Sequence, residues 1–118
     1  MDLKVLSIKE QGDASKEYVW IEVLSDCNLN SYALADTTYY DNGSISNELR
    51  HFYWFPNTDV RKGERVSLRT GNGKNTTVVN DNGQTVHRFY WGLGRAIWND
   101  SGDAAVLFNI ADWNTTRA

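Results

Sequence analysis

Hydrophobic and polar positions along the chain alternate in short runs, and each run ends in turn chemistry. In Leu3 to Lys9, Leu3, Val5 and Ser7 fall on one face and Lys4, Leu6 and Ile8 on the other; Gln11-Gly12-Asp13 then supplies a turn. Tyr18 to Leu24 is a stronger run: Val19, Ile21 and Val23 point one way, and Tyr18, Trp20, Glu22 and Leu24 the other. Apolar character on nearly both faces predicts a central strand rather than an edge. Glu22 interrupts the second face, and Arg88 or Arg95 is the expected partner for its carboxylate. Asp26 to Asn30 breaks the pattern, and Tyr32 to Thr38 resumes it.

Further along, Asp41-Asn42-Gly43 favours a turn with positive φ. Arg50 to Phe55 is an aromatic strand that ends at Pro56, with His51, Tyr53 and Phe55 on one side and Phe52 and Trp54 on the other. Either it is covered on both sides by long loops, which is the simpler expectation, or some aromatics are exposed as a binding platform. Arg65 to Thr70 places Val66 and Leu68 inward and Arg65, Ser67 and Arg69 outward. Residues 71–83 are polar and rich in Gly and Asn, which predicts a long loop with at most a weak hairpin around Val78-Val79. His87 to Trp91 and Ala96 to Trp98 are short strand candidates, and Asp103 to Asn109 is the last strong strand. No window shows apolar residues recurring every three or four positions over three turns. The pattern therefore predicts an all-β fold, an antiparallel β-sandwich of about seven to eight strands.

Composition supports one domain. A chain of 118 residues buries about two-thirds of the surface its unfolded form exposes, and 41% hydrophobic with 23% charged residues is ordinary for a globular protein. The expected domain is residues 1–112, with 113–118 as a flexible tail. The single Cys27 excludes an internal disulfide framework or a Cys-rich metal site. No apolar run reaches the roughly 18 residues of a membrane helix, so no membrane insertion is expected. Met1-Asp2-Leu3-Lys4 does not begin a signal peptide. The expected location is cytoplasmic as the chain stands, and extracellular if it is part of a longer, secreted protein.

Three segments carry a resemblance to a known family. Tyr18-Val19-Trp20-Ile21-Glu22-Val23 followed by Tyr32-Ala33-Leu34-Ala35-Asp36 resembles the first signature of the lamin tail domain. The stretch from Phe52 to Gly71, with its aromatic strand, Phe55-Pro56-Asn57-Thr58 and Gly turn, resembles the second. Tyr90-Trp91-Gly92, with Ile97-Trp98-Asn99-Asp100-Ser101-Gly102-Asp103 running on to Leu107, resembles the third. The resemblance covers about residues 3–109. It implies an immunoglobulin-like sandwich and a non-catalytic module of the prokaryotic type. Ser31-Tyr32 stands where the family usually has Gly-Trp, and the chain has no coiled-coil rod, so filament building and nuclear location do not carry over.

The expected function is thus protein interaction or targeting, with a protein partner and no cofactor or metal. The Trp98 to Asp103 segment offers oxygen ligands but lacks the ligand order of a calcium loop; a turn in which Asn99 or Asp100 bonds nearby backbone, with Trp98 as a core anchor, is the simpler reading. The charge of −3 is unevenly spread: residues 1–60 hold four Lys or Arg against ten Asp or Glu, and 61–118 hold eight against five. Arg61, Lys62, Arg65, Arg69 and Lys74 form a candidate basic contact surface, joined by Tyr53 as a candidate aromatic contact. Alternative ligands are a carbohydrate on exposed aromatics, or nucleic acid held weakly by the basic face. His51 and His87 are the only histidines, and neither belongs to a catalytic or metal motif. An exposed edge strand offers a route to pairing two copies, but nothing in the sequence requires an oligomer.

Overall fold

The computed structural model describes residues 1–99 and 101–118. Ten strands occur among them: β1 (Leu3–Lys9), β2 (Tyr18–Val23), β3 (Cys27–Asn28), β4 (Tyr32–Thr38), β5 (His51–Trp54), β6 (Asp59–Val60), β7 (Arg65–Arg69), β8 (Thr76–Val79), β9 (Thr85–Tyr90) and β10 (Asp103–Asn109). A single 3-10 turn, Leu29–Ser31, is the only helical element among the described residues. The all-β expectation holds, with more strands than expected. The additions are the two-residue strands β3 and β6, too short to show alternation, and β8.

The strands form a five-stranded sheet in the order β1-β2-β7-β9-β8, a three-stranded sheet in the order β10-β4-β5, and a β3-β6 pair. One core joins the two larger sheets. Leu3, Val19, Ile21, Val23, Val66, Leu68 and Phe89 come from the first, and meet Tyr32 and Leu34 of the second with Phe55 just beyond β5. β2 is central, as its two-sided apolar pattern predicted.

Three features depart from the sequence reading. First, the β1–β2 register shifts between Val5 and Ser7. This bulge brings Ile8 onto the core face with Leu3 and Val5, while Leu6 is exposed. One extra residue reverses the side-chain phase of everything after it. Second, pairing is not antiparallel throughout, because β7 and β9 run parallel. The chain leaves β7, crosses to the far edge to form β8, and returns as β9 between them. The expected long loop is therefore largely a β8–β9 hairpin. Its turn is held by Asn80 Oδ1, which accepts from the N–H groups of Asn82 (3.0 Å) and Gln84 (2.9 Å), and Gly83 takes φ of 76°.

Third, Ala96 to Trp98 is not a strand. Its backbone donors go to a side chain instead. Glu17, wholly buried, accepts from Ile97 N–H at 2.9 Å and Trp98 N–H at 3.3 Å through Oε2. The same oxygen accepts from the Thr70 hydroxyl at 2.7 Å, and Oε1 accepts from Gly12 N–H at 3.1 Å. One carboxylate thus pins the β1–β2 turn, the end of β7 and the 93–98 segment. Gly71 is required beside it: a Cβ there would lie 2.7 Å from the Ala14 carbonyl oxygen. Trp98 is the core anchor expected, although its indole Nε1 has no hydrogen-bond partner among the described residues. The turn reading of Asn99 or Asp100 involves residue 100 and lies outside the described residues.

Replacing Glu17 by Ala leaves several buried donors unpaired, each costing on the order of 1–3 kcal/mol. Urea unfolding of Glu17→Ala is expected to show a loss of about 3–5 kcal/mol, the range for breaking a buried charged network. Lys16→Ala, exposed in the same turn, is expected to stay within about 0.5 kcal/mol of the parent.

Candidate functional site

Two outward sheet faces carry the chemistry. On the five-stranded sheet, pairing places Glu22 opposite Arg65, Trp20 opposite Ser67 and Tyr18 opposite Arg69. The parallel β7–β9 register adds Val86, Arg88 and Tyr90 beside Arg65, Ser67 and Arg69 in turn. Because side chains on paired residues share a face, β2, β7 and β9 present a surface of aromatic and basic groups. Within it lies a groove of about 210 Å³, lined by Tyr18, Trp20, Ser67, Arg69, Asn80, Val86 and Arg88.

Its walls are ordered by ring and charge contacts. Tyr18 and Trp20 meet edge to face, with centroids 6.1 Å apart, and the Arg69 guanidinium carbon lies 4.8 Å above the Tyr18 ring. Ser67 is only 1% exposed, although it is on the outward face. Ser67 Oγ, Arg65 Nε and Arg69 Nε are buried and have no hydrogen-bond partner among the described residues. The partner of Glu22 is Arg65, at 4.0 Å, rather than the expected Arg88 or Arg95. That frees Arg88 for the groove.

The sequence-predicted basic residues lie on three successive segments. Arg65 and Arg69 share the outward face of β7. Arg61 and Lys62 are exposed in the turn before that strand, and Lys74 is exposed in the loop after it. The backbone N–H of Arg61 donates to Glu64 and that of Lys62 to Asp26, which fixes the turn while leaving both side chains outward. Tyr53 faces inward. Its ring packs 5.1 Å from Phe55 and 6.0 Å from Trp91, and burial pushes its phenol above the ordinary value, partly offset by a hydrogen bond with Asn75. Sequence reasoning missed Ser67, Arg88, Tyr18, Trp20 and Asn80 as a group. Alternation puts Tyr18, Trp20 and Ser67 outward, but Asn80 lies in a turn and only the parallel register sets Arg88 beside Ser67.

The three-stranded sheet is different. Its outer face pairs Phe108, Ala33 and Trp54 in one row and Val106, Ala35 and Phe52 in the next. Ala33 and Ala35 are wholly buried beneath their larger neighbours, whereas Phe52 is 50% and Trp54 40% exposed. Two-sided cover of β5 is thus not observed. Phe52 packs against Phe108 at 6.0 Å, and Trp113 of the C-terminal segment meets Trp54 edge to face at 4.8 Å. Beside this strip, Ile45, Leu49, Val106 and Phe108 line a mainly apolar depression of about 240 Å³.

Both histidines are bound to carboxylates. Asp36, buried, accepts from the His51 backbone N–H at 2.7 Å and lies 3.1 Å from its Nδ1. His87 Nε2 is 2.8 Å from Glu64 Oε1, and its Nδ1 is 3.2 Å from the Thr77 hydroxyl. Among the described residues, no group of three or more His, Cys, Asp or Glu is placed to hold a metal ion. Burial, with the carboxylates of Asp2 and Asp26, pushes the Cys27 thiol up, away from its nucleophilic form. No helix of the described residues is long and apolar enough to cross a membrane. Compared with known proteins, the chain matches no family model and no curated protein.

Glu64 gives a pH-dependent signature. Burial alone would raise its carboxyl, but the His87 hydrogen bond, the Arg61 N–H and nearby positive charge together hold it below its ordinary 4.5. A depressed folded-state value means that this stabilisation is full above the unfolded value and is lost as pH falls through the folded one. Glu64→Gln is expected to flatten the fall in unfolding free energy below pH 4.5 relative to the parent. Chemical denaturation at a series of pH values checks this.

Proposed function

We propose that the chain is a non-catalytic binding module, an immunoglobulin-like sandwich of the lamin-tail kind, that recognises a partner protein on the outer face of its three-stranded sheet. The observation that carries this reading is the aromatic strip over an alanine floor, with Phe52 and Trp54 exposed and Phe108 partly buried against Phe52. Large aromatic side chains left half-exposed on a flat apolar face are the usual anchors of protein recognition. The family reading rests on the three sequence segments, whose residues fall on β2 and β4, on β5 through β7, and on the approach to β10.

The occupant is an extended peptide segment of the partner with an apolar side chain and basic flanks. The chain's own C-terminal segment supports this, since Trp113 rests on Trp54 much as a peptide aromatic would. The apolar depression bounded by Ile45, Leu49 and Phe108 leaves room for a second side chain. Glu48, exposed between the lining residues Asn47 and Leu49, and Asp112, exposed beside Trp113, offer basic flanks a complement.

Panning a displayed library of linear peptides against the purified chain tests the proposal. Enrichment of apolar peptides with Lys or Arg flanks is expected, and Trp54→Ala or Phe108→Ala should weaken their binding by about 30-fold, as for a hot-spot aromatic. Three outcomes overturn it: no enrichment, peptides that bind the variants as well as the parent, or a sedimentation-detected dimer that the same variants dissolve.

A further inference from the structure

We infer that the segment after β10 is an autoinhibitory strap: Trp113 occupies the Trp54 end of the aromatic strip, and a partner has to displace it to dock there. The inference rests on the reading of that strip as the partner-binding surface and adds how access to it is regulated.

One turn positions both halves of the contact. The 3-10 turn Leu29–Ser31 supplies two successive carbonyls. That of Asn30 accepts from the Trp54 indole N–H at 2.8 Å and fixes the ring. That of Ser31 accepts from the Ile110 N–H at 2.7 Å and fixes the point where the chain leaves β10. Further on, Asp112 Oδ1 accepts from the Trp113 N–H at 2.8 Å. The Trp113 ring then meets Trp54 at 83°, with centroids 4.8 Å apart, which is the favoured edge-to-face arrangement.

The hold is reversible. Among the described residues, the Ile110 amide makes the last backbone hydrogen bond between this segment and the sheet. Residues 111–118 are all exposed, and Trp113 itself is 49% exposed. An edge-to-face ring pair favours the paired state by roughly two- to tenfold beyond the area it buries. The Trp54 end is therefore open in about one-third to one-tenth of the molecules, and a ligand that needs it open binds more weakly by that fraction.

Only one end of the strip is covered. The apolar depression of Ile45, Leu49, Val106 and Phe108 includes no residue of the segment in its lining. A partner that places an aromatic ring on Trp54 competes with the strap, whereas one that fills the depression alone does not. Tethering strengthens the competition, because a short covalent link gives an effective concentration on the order of 1 mM.

The test uses the full chain labelled with nitrogen-15, as the parent, Trp113→Ala and Trp113→Phe, followed at the Trp54 indole N–H resonance. The probe is a synthetic peptide of residues 110–118. Trp113→Ala is expected to shift the Trp54 resonance while the spectrum of the sheets stays in place. It should bind the probe with a dissociation constant on the order of 0.1–1 mM, the tether concentration divided by the ring-pair preference. The parent should bind the probe about three- to tenfold more weakly, and Trp113→Phe should lie nearer the parent. A probe carrying W113A should bind none of them. An unchanged Trp54 resonance in Trp113→Ala overturns the inference, as does equal affinity of the probe for that variant and the parent. So does a Trp54 resonance in the parent that moves with protein concentration, which would put the segment of a second copy on the strip. Those outcomes remove the strap and leave the partner surface untouched. Failure of the peptide panning, with the probe behaving as expected, removes the partner surface instead, and with it the regulatory role of a contact that still forms.

Discussion

Four hydrogen bonds to one buried carboxylate tie the irregular 93–98 segment to the β1–β2 turn and to the end of β7. Glu17 takes donors from the turn after β1, from the hydroxyl at the end of β7, and from two successive amides of the irregular 93–98 segment. An ionised group inside a protein is tolerated only when its lone pairs are filled. The carboxylate therefore acts as a common acceptor where strand pairing is absent. Its position follows from the β1–β2 turn, in which Asp13 accepts from the Lys16 and Glu17 amides and so directs the Glu17 side chain inward. With this clamp in place, Ile97 and Trp98 close one end of the core.

The closed core frees the two outer faces to differ. One sheet turns a half-buried array of Tyr, Trp, Arg and Ser outward; the other exposes aromatic rings over alanines. Small residues on central strand β4 and large ones on its neighbours make a shallow trough, because Ala33 and Ala35 cannot fill the space between the flanking rings. The difference arises from what each strand alternates with its core residues, so a single buried pattern supports two unlike surfaces.

Much of this was legible in the sequence where alternation was strict. β2, β4, β7 and β10 appear at their expected positions, with Val19, Ile21 and Val23 buried as a set. Reading failed where a non-local partner or a one-residue irregularity decided the outcome. The bulge near Leu6 reversed a face that simple alternation had assigned, and the parallel β7–β9 pair cannot be read from local spacing at all. Arg65 and Arg69 were legible as an outward pair. Ser67 between them was legible as outward but not as buried, and Arg88 beside it was not legible, because the adjoining strand has first to be placed. Tyr53 shows the opposite case: an aromatic that alternation cannot separate from a contact residue until the facing sheet supplies Phe89 and Trp91.

The last strand of the five-stranded sheet has a cost of its own. β8 reads Thr-Thr-Val-Val; it lies at the border with one side unpaired, and Val79 is 68% exposed. Uncharged, β-branched borders of this kind invite stacking of one molecule on another. Only shortness and two flanking charges, Lys74 and Asp81, oppose it. This four-residue stretch, on the sheet opposite the aromatic strip, is accordingly the weak point of the molecule at high concentration, and added salt weakens its protection by screening those two guards.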